Sequence, residues 1–135
     1  MNSSEDLDWY LTKYPCPCCG HYVFTLPPGS LHTCPICFWM DDSFALRFPK
    51  CSTMERKPLF VSQRNYATIH ACDASCVQYV RPPSAEDLRD AQWRPLDEFR
   101  DDMEEVDDYA DYNGTYPWDK TRLYYWRTGY WREPG

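Results

Sequence analysis

Tyr14-Pro15-Cys16-Pro17-Cys18-Cys19-Gly20 and Cys34-Pro35-Ile36-Cys37 are the two stretches that decide how this chain is held together. Cys16 and Cys19 are three apart, with Cys18 between them, and Cys34 and Cys37 repeat that spacing. The 14 residues from Gly20 to Thr33 separate the two pairs. A Cys-x-x-Cys turn aims both sulfurs at one point, and two such turns at this separation have the ligand spacing of a four-cysteine structural zinc site. The proline in each pair stiffens the turn, and Gly20 can take a positive φ where the chain leaves it. The expected ligands of Zn2+ are therefore Cys16, Cys19, Cys34 and Cys37. Cys18 is the odd cysteine, a non-ligand that is buried or faces the outer layer of the site.

Disulfides and redox chemistry are the competing uses of eight cysteines. A single Cys-x-x-Cys can be a redox dithiol, but two matched pairs fit a metal better. The first residues, Met1 to Tyr10, are acidic and polar, which predicts no secretory signal. No run approaches the roughly 18 apolar residues of a membrane helix. The expected setting is cytoplasmic and reducing, where metal ligation is favoured over disulfides. Cys51, Cys72 and Cys76 lie outside both pairs. With His70 they could form a second site, although free cysteines often serve as small buried hydrophobes.

The sequence reads as an α+β fold in a single domain over residues 1–135. Residues 14–42 form a small four-cysteine zinc ribbon, with a β-hairpin between the two knuckles. In that reading His21–Leu26 is the outgoing strand, 27–30 is a turn, and Leu31-His32-Thr33 returns to the second pair. Phe38 and Trp39 cover the site. Residues 43–94 carry a loop and short helices. Residues 43–60 show no periodicity. Ser62 is a candidate N-cap for a helix of about ten residues, Asp73 caps a short helix with Val77 and Val80, and Ser84–Asp87 resembles a capping box opening a helix through Ala91. Residues 112–135 are an aromatic segment packed on the core, with Leu123–Trp126 read as a strand.

The net charge is −7, yet Asp97 to Asp111 alone sums to −8, leaving +1 for the rest of the chain. The acidity is one local feature. Leu96, Phe99, Met103, Val106 and Ala110 recur at steps of 3 and 4, which predicts an acidic amphipathic helix over 95–111 with that stripe buried. Asp101, Glu104, Glu105 and Asp108 lie off the stripe and form a candidate surface for a protein partner with a basic face. There is no basic stripe of the kind nucleic-acid binders carry, and the arginines among the terminal aromatics are better placed to pair with acids than to stack bases.

The string from Tyr14 to Gly20, Pro27-Pro28-Gly29-Ser30, Cys34-Pro35-Ile36-Cys37-Phe38-Trp39 and Asp41-Asp42 resembles the bacterial cysteine-rich CPCC domain. The resemblance continues through Val61-Ser62, Arg64-Asn65-Tyr66, Ala71-Cys72-Asp73 and Val80-Arg81-Pro82-Pro83, and so covers about residues 14–83. The family's pattern often carries glycine where this chain has His70. The resemblance implies a small zinc-ribbon-like protein and no particular activity.

Signatures of catalysis are missing from the sequence. It has no phosphate-cradling glycine loop, no serine-nucleophile motif and no histidine-rich metal pattern. Loop aspartates such as Asp41 and Asp42 more often cap backbone donors than do acid–base chemistry. A four-cysteine zinc site has no open position at which to activate water. The expected function is a non-enzymatic, zinc-binding protein-interaction module, for example an immunity or antitoxin-like protein that occludes a basic toxin. The alternative is a thiol redox or metal-sensing protein using Cys18, Cys51, Cys72 or Cys76.

Overall fold

A computed structural model describes residues 13–51, 57–101 and 119–127. The fold is small and α+β. It has a two-stranded antiparallel sheet, β1 (Tyr14–Pro15) with β2 (Tyr22–Phe24), then α1 (Ser43–Arg47), α2 (Leu59–Ile69), and 3-10 turns at Ala74–Tyr79 and Lys120–Leu123. No helix among the described residues is long and apolar enough to cross a membrane.

The strand pairing differs from the expected hairpin between the knuckles. Tyr14 pairs with Phe24 and Pro15 with Tyr22, so the first Cys-x-x-Cys sits at the tip of its own hairpin. The second pair has its own tip as well. Thr33 bridges Met40, Leu31 N–H donates to Asp41 O, and Asp41 N–H donates to His32 O. Residues 31–33 thus turn back on 39–41 and make no ladder with β2. The physical reason is local. Each Cys-Pro-x-Cys closes a tight turn, and a tight turn pairs the residues immediately flanking it.

Residues 43–60 are expected to be an ordered loop, but their first five residues form a short helix. Asp42 accepts from Phe44 N–H at 2.9 Å and caps α1, which buries Ala45 and Leu46. A five-residue helix is too short to display a stripe, so only the cap could have announced it. The helix expected to start at Ser62 starts at Leu59. Pro58, with φ already near the helical value, precedes it, and Ser62 lies inside with its N–H on Pro58 O. Leu59, Ser62, Gln63 and Tyr66 are the buried residues of α2. Their spacing is that of one helical face.

The end of α2 is set by His70. It adopts φ 61° and ψ 30°, the left-handed conformation, and its N–H returns to Tyr66 O at 2.9 Å. Such a cap favours glycine, because an L side chain costs about 1–2 kcal/mol there. The His70 ring recovers part of this by an edge contact with Tyr66, with centroids 5.9 Å apart. His70→Gly is therefore expected to raise stability by about 0.5–1 kcal/mol, net of the extra freedom glycine gives the unfolded chain. A urea midpoint equal to or below that of the wild type would refute this.

Asp73 caps the next turn as expected, accepting from Ser75 N–H at 3.0 Å. Ser84–Asp87 closes as a turn, with Asp87 accepting from both the N–H and the hydroxyl of Ser84, but no helix follows. Asp87 also holds the Arg81 guanidinium at 2.7 Å. That contact comes first among the causes that hold its carboxyl well below the usual range. From there the chain runs alongside the first hairpin. Tyr22 N–H donates to Leu88 O, His21 bridges Arg89, and Asp90 N–H donates to Gly20 O.

Leu123–Trp126 belong to the core, but as a 3-10 turn running into a further turn and not as a strand. Burial of four consecutive residues imitates a strand in sequence. Here it arises because Tyr125 and Trp126 send polar tips to Arg94 O and Asp90 while their rings pack inward.

Of the acidic helix expected over 95–111, only 95–101 falls within the described residues. It forms a single turn, with Asp97 O accepting from Arg100 and Asp101 N–H. Leu96 is buried as predicted, but Phe99 is 99 % exposed, so the stripe does not continue inward at that position. Met103, Val106, Ala110, Glu104, Glu105 and Asp108 lie outside the described residues.

Candidate metal centre

The two hairpin tips are near copies. Cys16 N–H donates to His21 O at 2.8 Å, and Cys34 N–H to Trp39 O at 2.9 Å. Gly20 N–H returns to Cys16 O, and Phe38 N–H to Cys34 O. The residue after each pair takes a positive φ, 82° at Gly20 and 70° at Phe38. A left-handed residue at this point turns the chain back so that both sulfurs of a knuckle face one way. Phe38 holds that conformation without glycine's freedom, and its ring stacks on Tyr79 at 5.1 Å.

Face to face, the two tips bring Cys16, Cys19, Cys34 and Cys37 together with all four sulfurs within 4.8 Å of one another. Cys16 Sγ lies 3.6 Å from Cys37 Sγ, and Cys19 Sγ 3.8 Å from Cys34 Sγ. A tetrahedral ion bonded to four sulfurs at about 2.3 Å has S···S edges of about 3.8 Å, so the donor set fits a metal of that size. All eight cysteines are free thiols, and the four of the cluster are fully buried. Ile36 and Cys37 N–H groups point at Cys34 Sγ at 3.4 and 3.5 Å, the backbone support that a metal-bound thiolate uses.

Burial drives the thiol chemistry. It pushes Cys16 and Cys37 well above the ordinary thiol value. Cys34 is equally buried, but hydrogen bonds from Cys16, Cys19 and Cys37 outweigh that and carry it well below. Four buried sulfurs with one ready to ionise first are a site that a cation completes by displacing protons.

The surrounding shell comes from segments far away in sequence. Pro17 O, inside the first knuckle, accepts from Gln63 Nε2 of α2 and from Trp93 Nε1, both at 2.9 Å. Cys19 O accepts from Arg89 Nε at 2.8 Å, and Cys37 O accepts from Cys72 N–H at 2.8 Å. Gln63 also donates to Tyr125 Oη and accepts from Leu96 N–H, so one buried amide joins knuckle, helix and C-terminal segment. Asp90, 5 % exposed in its side chain, gathers Trp126 Nε1, Arg127 and Gln92 N–H. Sequence reading did not single out Gln63, Arg89, Asp90 or Trp93. Only Gln63 carried a signal, a polar residue on the same helical face as Leu59 and Tyr66.

Glycine at position 20 is required by space as well as by φ. A Cβ there would lie 2.8 Å from the Trp93 ring and 3.1 Å from Arg89 Nε, and both side chains are pinned to carbonyls of the knuckle. Gly20→Ala is expected to cost about 2–4 kcal/mol, the sum of left-handed strain and overpacking. A chemical-denaturation midpoint within error of the wild type would contradict that.

The other sequence candidates are placed differently. Cys51, His70, Cys72 and Cys76 form no second cluster; among the described residues only the four-cysteine group comes together. Asp41 and Asp42 act as caps, Asp41 on Ser30 and Asp42 on Phe44. Asp101, expected on an open acidic face, is 7 % exposed in its side chain. Its carboxylate takes a two-pronged bond from Arg94 at 2.8 and 2.7 Å and caps Asp97 N–H. Glu98 lies beside Lys50 and Arg64.

A small α+β chain closed around four convergent thiols defines the class of protein. The sequence profile of the cysteine-rich CPCC family matches residues 14–87, and the chain belongs to that family. The matched region holds both knuckles and α2, while Asp90, Trp93, Leu96 and Leu123–Trp126 complete the core from outside it. No curated protein and no solved structure matches the chain.

Proposed function

We propose that the chain is a non-enzymatic protein-interaction module of the bacterial cytoplasm, built on one structural zinc ion held by Cys16, Cys19, Cys34 and Cys37. The observation that carries this reading is the closure of the centre. Four sulfurs at tetrahedral spacing, all fully buried, leave a metal no open position for substrate or water. Zinc is the natural occupant of an all-thiolate tetrahedral set that does no redox work.

The partner in this reading is a protein with a basic surface, and an immunity or antitoxin-like role against a basic toxin is its concrete form. The charge of −8 over Asp97–Asp111 supports it. Within that run Asp101 and Glu98 are engaged by the protein's own arginines and lysine. Glu104, Glu105 and Asp108 are the remaining charges that this reading assigns to the partner. The thiol redox alternative, which drew on Cys18, Cys51, Cys72 or Cys76, is left with the half-buried Cys51, since Cys18, Cys72 and Cys76 are all buried.

The test is capture of partners from the native host with wild-type protein and with Glu104, Glu105 and Asp108 each changed to Lys. The expected result is a basic partner lost on charge reversal, with association slowing as salt rises. A partner held equally by both forms and insensitive to salt would exclude the acidic segment as the binding surface.

A further inference from the structure

We propose that the groove between the turn at 27–30 and the 3-10 turn Lys120–Leu123 binds the C-terminal end of a partner polypeptide, its last apolar side chain against Leu26 and the prolines and its free carboxylate on Lys120. The groove has a volume of about 550 Å³ and lies beside Tyr14, at the end of the β1–β2 hairpin remote from the cysteines. Ligand sites are commonly clefts of about 300–1,000 Å³ with apolar walls and a few placed polar groups. Among the described residues, Tyr14, Leu26, Pro27 and Pro28 supply the apolar wall, and Lys120 supplies the cation.

Charge and space together choose the occupant. Lys120 has no ion pair among the described residues. Its neighbour Asp119 is turned to its own backbone, where Oδ1 accepts from Thr121 N–H at 3.2 Å and from the Thr121 hydroxyl at 2.6 Å. The Lys120 ammonium is therefore the donor left open to a ligand. Gly29 makes room beside it. Gly29 has φ 101°, and a Cβ there would lie 3.2 Å from both Lys120 Nζ and Ser43 Oγ. An ammonium and a hydroxyl thus converge on the side of the chain that glycine leaves bare. A carboxylate has two oxygens with which to accept from such a pair. Leu26, 47 % exposed, offers uncovered apolar surface in the same groove. A chain terminus joins both needs, since it sets a carboxylate next to a side chain, and capture of that carboxylate is a recurring mode of peptide recognition. The groove is also held ready. Pro27 and Pro28 fix their own φ, and Ser30 is tied to the buried Asp41 through its N–H at 3.2 Å and its hydroxyl at 2.5 Å. Little ordering is then lost on binding.

The probes are two pools of short N-acetylated peptides whose last two positions vary over apolar and aromatic residues. One pool ends in the free carboxylate and the other in the amide. The full chain is titrated with each pool as wild type, Lys120→Met and Leu26→Ser. Wild type should hold free-acid peptides about 5- to 10-fold more tightly than their amides. Lys120→Met should abolish that preference, and the ratio within one variant does not depend on the fraction folded. Leu26→Ser should weaken acid and amide alike and keep the preference. Failure to hold any free-acid peptide would overturn the proposal. So would equal binding of acid and amide by wild type, a preference undiminished in Lys120→Met, or full affinity in Leu26→Ser. Displacement of the peptides by acetate at their own concentration would reduce the groove to a general anion spot and overturn it as well. The groove shares no residue with the four-cysteine cluster or with Asp97–Asp111, so its failure and theirs are read separately.

Discussion

Removal of the metal, or replacement of Cys19 or Cys37 by Ser, should unfold this protein or leave it insoluble. The purified chain should carry one zinc ion. Structural zinc in small four-ligand sites contributes about 10–16 kcal/mol of apparent binding energy at neutral pH. The whole stability of a domain is about 5–15 kcal/mol, so an ion bound with that energy would decide whether the fold exists. The geometry explains why the loss would not stay local. Cys16, Cys18, Cys19, Cys34 and Cys37 sit at 0 % exposure within the continuous core. The sheet that frames the first knuckle is only two residues long on one side and three on the other, too little to hold the tips together. Elemental analysis of native protein, and thermal melts with and without a strong chelator under reducing conditions, check this. A metal-free protein, or a melt unmoved by chelation, would refute the assignment.

The four-cysteine cluster was legible in the sequence because its signal is local. Ligand spacing is a property of two four-residue turns, and Cys16, Cys19, Cys34 and Cys37 needed no tertiary information to be paired. Helix α2 was legible in kind but not in register. Ser62 looked like a cap, while Pro58 and the buried face through Leu59 and Gln63 set the start. The strand pairing and the Leu123–Trp126 segment were misread for a common reason. β-rich composition reports that a stretch is buried and extended, whereas pairing is chosen by the turn that flanks it or by distant polar anchors. The support shell was invisible because it is nonlocal. Gln63 meets Pro17 and Tyr125, and Asp90 meets Trp126 and Arg127, across 36 residues or more in each case. Asp101 shows the converse error. Counted as one charge in an acidic run, it reads as surface, yet Arg94 seven residues upstream takes it out of solvent.

Asp90→Asn should be the most destabilising substitution outside the cysteines and glycines of the knuckles. The Asp90 carboxylate accepts from Trp126 Nε1 at 2.8 Å, Arg127 Nη2 at 2.8 Å and Arg127 Nε at 3.1 Å, and its other oxygen accepts from Gln92 N–H at 3.0 Å. Burial alone would push its proton affinity up, but the bonds from Trp126, Gln92 and Arg127 overcome that and hold it below the ordinary carboxylate value. Asparagine keeps the shape and loses the charge, leaving an indole and a guanidinium with a weaker, partly mismatched acceptor. Breaking a buried pair costs about 3–5 kcal/mol, and Arg127 is one-third exposed, so about 2–4 kcal/mol is expected. The sign with pH follows from the direction of the shift. A carboxyl held low in the folded state contributes stability above its unfolded value of about 3.9, and that contribution fades as pH falls through the lower folded value. The gap between wild type and Asp90→Asn in denaturation midpoint should therefore be constant from pH 7 to about 5 and close under stronger acid. Because Asp90 N–H also closes onto Gly20 O beside the first knuckle, the variant should lose its metal to chelator faster than wild type at pH 7. A midpoint gap under 1 kcal/mol at neutral pH, or one that widens on acidification, would show that Asp90 does not hold the C-terminal segment against the centre.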